Sequence, residues 1–163
     1  FRSLLEHGGV RHVVNLFDGK IPVADLIAAE GRAAQAAGAS YVTATDEEGT
    51  GYGRWRDALK EHYDDPAARA AAFAGMARLI REQILAPGGA APRGNVHLHC
   101  GGGMHRSGMV AGIIDKCINH APLATVLAAY RYHVAWHDAD HPGGAEDGNL
   151  RVLADFDCAL LAP

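Results

Sequence analysis

A chain of 163 residues has room for one ordinary domain with a real hydrophobic core. Its formal net charge of −4 argues against a nucleic-acid stripe or an anionic-membrane patch. No apolar run approaches membrane-span length and no signal peptide is visible. The three cysteines, Cys100, Cys117 and Cys158, show neither disulfide-scaffold nor zinc spacing, which favours a reducing compartment.

In chain order, residues 1–9 read as a short helix with Leu4 and Leu5 inward. Residues 10–17 form a nearly unbroken apolar run between Gly-Gly and Asp-Gly, which predicts a parallel strand covered on both faces. Pro22 suits a first helical position, and a helix is predicted over 23–37, ended by Gly38. A second strand is expected over 40–45, then a glycine-rich acidic loop over 46–53 and a short helix over 55–63. Asp64 or Asp65 caps the next helix, with Pro66 at its first position. That helix, 66–85, has the clearest period, with Phe73, Met76, Ala77, Ile80 and Ile84 on one stripe.

Residues 86–92 look like a domain linker. The strand predicted at 95–99 nevertheless needs the earlier strands beside it, so one domain is expected. After the loop that follows, Val110, Ile113, Ile114 and Cys117 share a helical face, which makes Cys117 a core residue. Pro122 opens another helix, striped by Leu123, Val126, Leu127, Tyr130 and Val134. A polar loop is expected over 137–148, then a last helix over 150–161 with Leu153, Phe156 and Leu160 inward. Strands interleaved with helices predict an α/β fold. Its small central, mostly parallel sheet is flanked by helices on both faces, with the site at the carboxyl end of the strands.

The chemistry concentrates in His99-Cys100-Gly101-Gly102-Gly103-Met104-His105-Arg106-Ser107-Gly108. A loop entering a helix turns its N–H groups inward and makes an anion cradle, strengthened by the helix dipole. Glycines let that backbone fold closely round a ligand. Arg106 has the planar fork that grips two phosphate oxygens. Cys100 sits at the mouth of this positive field, which favours its thiolate. Ser107 follows where its hydroxyl can reach the sulfur. Gly101, Gly102, Gly103, Met104, His105 and His99 complete the expected substrate-binding loop. His105 either adds charge at the rim or fills a surface position.

His99-Cys100, two residues, Gly103, two residues, then Arg106-Ser107 resembles the signature of the cysteine-dependent protein tyrosine phosphatases, especially the compact dual-specificity branch. Residues 9–16 also look like the early strand of that branch. The resemblance implies one catalytic domain over 1–163, with the signature loop between a strand and a helix. It implies a phosphomonoester hydrolase in which Cys100 is the nucleophile and Arg106 binds phosphate. Ser107 then aids the thiolate and turnover, and His99 organises the loop. Neither cofactor nor metal is implied. The expected partner is a protein carrying phosphotyrosine, phosphoserine or phosphothreonine, or a small phosphorylated metabolite. Binding to nucleic acid or membrane is not expected, and the chain is expected to be a cytoplasmic monomer.

The reaction also needs a general acid, because an alkoxide or phenoxide leaves poorly unprotonated. In that family the acid follows a strand ahead of the signature, which points to Asp46. Its distance in sequence from Cys100 exceeds the family's usual spacing. Asp64 and Asp65 lie closer but read as helix caps, and Glu47 and Glu48 share the loop of Asp46.

Late in the chain, His133, His137 and His141 with Asp138 and Asp140 raise a metal site, against a plain solvated loop. In the family this segment borders the active site, so the resemblance implies that His141 or Asp138 touches substrate, and Asn149 loosely matches the asparagine before the family's last helix. Tyr52 and Trp55 either flank a phosphotyrosine ring or simply pack. Two other classes remain. One is a catalytically dead phosphate-binding module. The other is a Cys-x5-Arg arsenate reductase or sulfurtransferase, although no resolving cysteine lies in sequence reach of Cys100 and the His-Cys and Arg-Ser context differs from sulfurtransferases.

Overall fold

A computed structural model describes residues 1–17, 24–43, 52, 55–90, 94–137 and 146–162. The first helix, α1 (Arg2–His7), leads into β1 (Val10–Asn15). Next come α2 (Ala24–Ala36) and β2 (Ser40–Thr43), then α3 (Trp55–Glu61) and α4 (Pro66–Leu79). The third strand is β3 (Asn95–His99), followed by α5 (His105–Cys117), α6 (Leu123–His137) and α7 (Glu146–Asp155). The fold is α/β with a three-stranded sheet in the order β2-β1-β3, and both pairings are parallel.

β1 is the middle strand and five of its six residues are buried, as its apolar run requires. Neighbouring residues on a strand face opposite ways, and Val13 and Val14 join different clusters. Val13 packs with Leu5, Val10, Ala34 and Ala39 under α1 and α2. Val14 packs with Met76, Ile80, Val110, Ile113, Leu153 and others from α4 to α7. Helices therefore cover both faces. Since β3 pairs along β1, the segment before it is a connection within one sheet.

Several boundaries differ from the sequence reading. Leu5 is buried but Leu4 is 38 % exposed, because a six-residue helix turns only one narrow face to the sheet. The long periodic helix ends at Leu79 and continues as a π-helical turn over Ile80–Leu85, which widens the spacing and leaves Ile84 only partly buried. On α6, Val126, Tyr130 and Val134 face inward, whereas Leu123 in the first turn stays 38 % exposed. The last helix starts earlier than expected, at Glu146, and stops at Asp155. A 3-10 turn, Cys158–Leu161, follows it and buries Leu161 rather than Leu160. Asp157 caps that turn, its carboxylate accepting from Ala159 N at 2.9 Å.

Cys117 and Cys158 form a disulfide between the end of α5 and this last turn, 41 residues apart in sequence. This corrects the expectation of unpaired cysteines and removes its argument for a reducing compartment. Beside it, Lys116 Nζ donates to the carbonyls of Leu153, Ala154 and Phe156, each at 2.9 Å, and so caps the C-terminus of α7. Closing a loop of this length removes denatured-chain entropy worth about 4 kcal/mol in the chain-entropy treatment. The Cys117→Ala/Cys158→Ala double variant is expected to lose most of that in a urea titration, and a loss below about 1 kcal/mol would show that the bridge adds little.

Candidate active site

All three strands run the same way, so their carboxyl ends share one edge. There Asn15 is in register with Thr43 on one side and His99 on the other. Cys100 follows β3 directly, and the loop turns into α5 within five residues. Gly103 makes the turn with φ +69°, a backbone region open to glycine and costly for other residues. At Gly101 the backbone lies so close to the Phe17 ring that an added Cβ would sit 2.6 Å from it.

The loop wraps the sulfur. Backbone N–H groups of Gly103, Arg106 and Ser107 hydrogen-bond Cys100 Sγ, and the Ser107 hydroxyl lies 3.5 Å away. Burial pushes the thiol's pKa up, but the Ser107 hydroxyl and these N–H groups outweigh it, and the net direction is down. The 13-residue helix α5 starts beside the sulfur and adds its dipole.

Arg106 is 9 % exposed. Its Nη1 donates to the Leu16 carbonyl at 2.7 Å, and its guanidinium lies 5.7 Å from the Phe17 ring centre. Leu16 N in turn donates to the His99 carbonyl at 2.7 Å. Leu16 thus ties the end of β1 to both ends of the signature loop.

Ahead of the cysteine lies a polar network that the sequence reading missed. Glu30 Oε2, from α2, accepts from the Tyr41 hydroxyl at 2.6 Å. Asn15 Nδ2 donates to Tyr41 Oη at 2.9 Å, while its Oδ1 accepts from Phe17 N at 2.8 Å. Burial and then the bond to Glu30 push the Tyr41 phenol well above its ordinary range, so it stays a donor. His99 Nε2 lies 3.3 Å from Glu30 Oε2 without making a hydrogen bond, and its ring stacks on His97 with centres 5.2 Å apart. The one signal available was Asn15, a polar residue inside a run that buries nearly everything else.

The other expected residues divide clearly. Asp46, Glu47, Glu48, Asp138, Asp140 and His141 lie outside the described residues, as does the side chain of His137. Asp65 is the N-cap of α4, accepting from Ala67 N at 2.9 Å. Asp64 pairs with Arg151 at 3.0 Å on the surface. Both line a cavity of about 640 Å³ that His105 and Met109 border from α5. Asn149 donates to the Tyr130 hydroxyl at 2.7 Å. Tyr52 and Trp55 are buried in the larger core cluster, 6 % and 4 % exposed. No group of three or more potential metal ligands occurs among the described residues.

Cys100 and Gly101 line a different cavity of about 660 Å³, set between the strand ends and α2. Its walls include Phe17, Leu26 and Ile27, and Glu30 is the one carboxylate among the described residues lining it. No known protein family, curated protein or solved structure matches the chain. No helix among the described residues is long and apolar enough to cross a membrane.

Proposed function

We propose that the chain is a phosphomonoester hydrolase of the dual-specificity tyrosine phosphatase type, with a phosphatase-like fold. The observation that carries this reading is the sulfur of Cys100, held at the start of α5 by the backbone N–H groups of Gly103, Arg106 and Ser107 and by the Ser107 hydroxyl. N–H groups that stabilise a thiolate are equally suited to the equatorial oxygens of a phosphoryl group in transfer. The thiolate attacks phosphorus, forming an S–P bond as the P–O bond to the leaving group breaks. Asp46, the proposed acid, gives its proton to the leaving oxygen. Water then attacks phosphorus, assisted by the same carboxylate, and phosphate departs as the S–P bond breaks. Ser107 stabilises the thiolate released in that second step. Arg106 binds the phosphate, the glycines, Met104, His105 and His99 shape the loop, and no metal or cofactor takes part.

The substrate is a phosphorylated protein or a small phosphorylated metabolite, acted on by a monomer. A monophosphate is favoured over a polyphosphate. The signature loop has no lysine, and the described residues lining the Cys100 cavity are mostly apolar.

An aryl phosphate assay with and without chelator tests the reading. Hydrolysis that survives chelation is the expected result. Loss on chelation with recovery on zinc or manganese would overturn it and promote His133, His137 and His141 as ligands. Tight vanadate binding without turnover would leave a phosphate-binding module in its place.

A further inference from the structure

α6 lies along α5 and meets the signature segment through two side chains one turn apart. The Tyr130 ring packs on Gly108 so closely that an added Cβ would come within 2.9 Å of it. Three residues later, on the same helical face, His133 crosses to the loop, with Nε2 3.1 Å from the Gly103 carbonyl oxygen. A carbonyl only accepts, so Nε2 carries the proton, and it does so in the charged ring and in one neutral tautomer.

Gly103 is the residue on which the cradle turns. Its carbonyl faces His133 while its N–H faces Cys100 Sγ. Glycine has the widest backbone freedom of any residue, so nothing in its own chemistry holds these directions. A donor on its carbonyl restrains the 103–104 peptide plane and so narrows the rotations at Gly103 that would swing the N–H of the preceding peptide.

We propose that His133 is a positioning residue that clamps the Gly103 carbonyl and so keeps the loop N–H groups aimed at the anion site. Its bearing on catalysis rests on the phosphatase reading; the clamp itself is a property of the loop and the thiol. Without it, the loop samples conformations in which the Gly103 N–H turns from the sulfur. The thiolate and a bound oxyanion then lose the same donor.

The test uses the full chain, in which Cys100 is the free cysteine. The rate of iodoacetamide alkylation is followed against pH, and protection by inorganic phosphate is measured alongside. In His133→Ala the titration midpoint is expected to rise by about half to one pH unit, and phosphate protection to weaken roughly three- to tenfold, as for loss of one hydrogen bond. In His133→Gln, whose amide N–H can reach the same carbonyl, both should return most of the way. A folded His133→Ala protein with the wild-type midpoint and wild-type phosphate protection overturns the clamp. Should His133→Ala unfold too readily to titrate, His133→Leu against His133→Gln decides. Leucine fills space without a donor, so equal midpoints in the two overturn the proposal and a higher one in leucine supports it. Failure of the wild type to turn over an aryl phosphate would sink the phosphatase reading and still leave the thiol titration readable.

Discussion

Cys100→Ser is expected to abolish turnover of an aryl phosphate while leaving vanadate or phosphate binding within a few fold of wild type. The two effects separate because different atoms produce them. In the proposed reaction the nucleophile is the sulfur, whose pKa the loop lowers; a serine hydroxyl in the same place remains protonated and attacks poorly. In the proposed reaction the oxyanion is held by the N–H groups of Gly103, Arg106 and Ser107 that now face the sulfur, which are backbone and survive the exchange. Loss of a covalent nucleophile of this kind costs roughly a thousandfold or more in rate. Activity of more than a few per cent would sink covalent catalysis at Cys100. Loss of anion binding together with activity would mean that the sulfur holds the loop, instead of the loop holding the sulfur.

What could be read in the sequence was local. Cys100 through Ser107, between an apolar strand and an apolar helix, states its own geometry because the groups that hold the sulfur lie within eight residues of it. The apolar run over 10–17 likewise announced a strand covered on both faces, although β1 itself ends at Asn15. The features that escaped join distant segments. Nothing in the spacing of Cys117 and Cys158 shows that α5 and the last turn meet; that follows only when Val110, Ile113, Leu153 and Phe156 share one cluster. Glu30 sits in a helix whose neighbours are mostly alanine, and only the parallel pairing of β1 with β2 brings Tyr41 and Asn15 to it. The histidines after Tyr130 invited a question about metals because histidine spacing has a known coordination meaning. The contact that His133 makes is with a backbone carbonyl, and such a partner leaves no mark in sequence.

The acid is the most exposed point, and two substitutions are expected to separate the candidates. In Asp46→Asn, poor leaving groups such as alkyl phosphates or phosphotyrosine should slow by about a hundred- to ten-thousand-fold, with activated aryl phosphates much less affected. A basic leaving oxygen needs its proton in the transition state, whereas a nitrophenolate departs without one. The basic limb of the pH–rate profile should vanish as well, since that limb reports the protonated acid. The acid limb, set by Cys100, should stay. In Asp65→Ala the kinetics should be near normal and stability should fall by about 1 kcal/mol, because the Asp65 carboxylate caps α4 through Ala67 N. Asp64, paired with Arg151 at the surface, is expected to behave likewise, with a smaller cost. The strand leading to Asp46 ends at Thr43, in register with Asn15 and through it with His99, the residue before the nucleophile. Asp64 and Asp65 instead line the cavity beside His105, which Cys100 does not border among the described residues. A leaving-group-dependent defect in Asp65→Ala, with Asp46→Asn unaffected, would move the acid to the nearer aspartate and make that second cavity the leaving-group side. A defect in neither would turn attention to Glu30, the carboxylate that shares the Cys100 cavity, and to Glu47 and Glu48 beside Asp46.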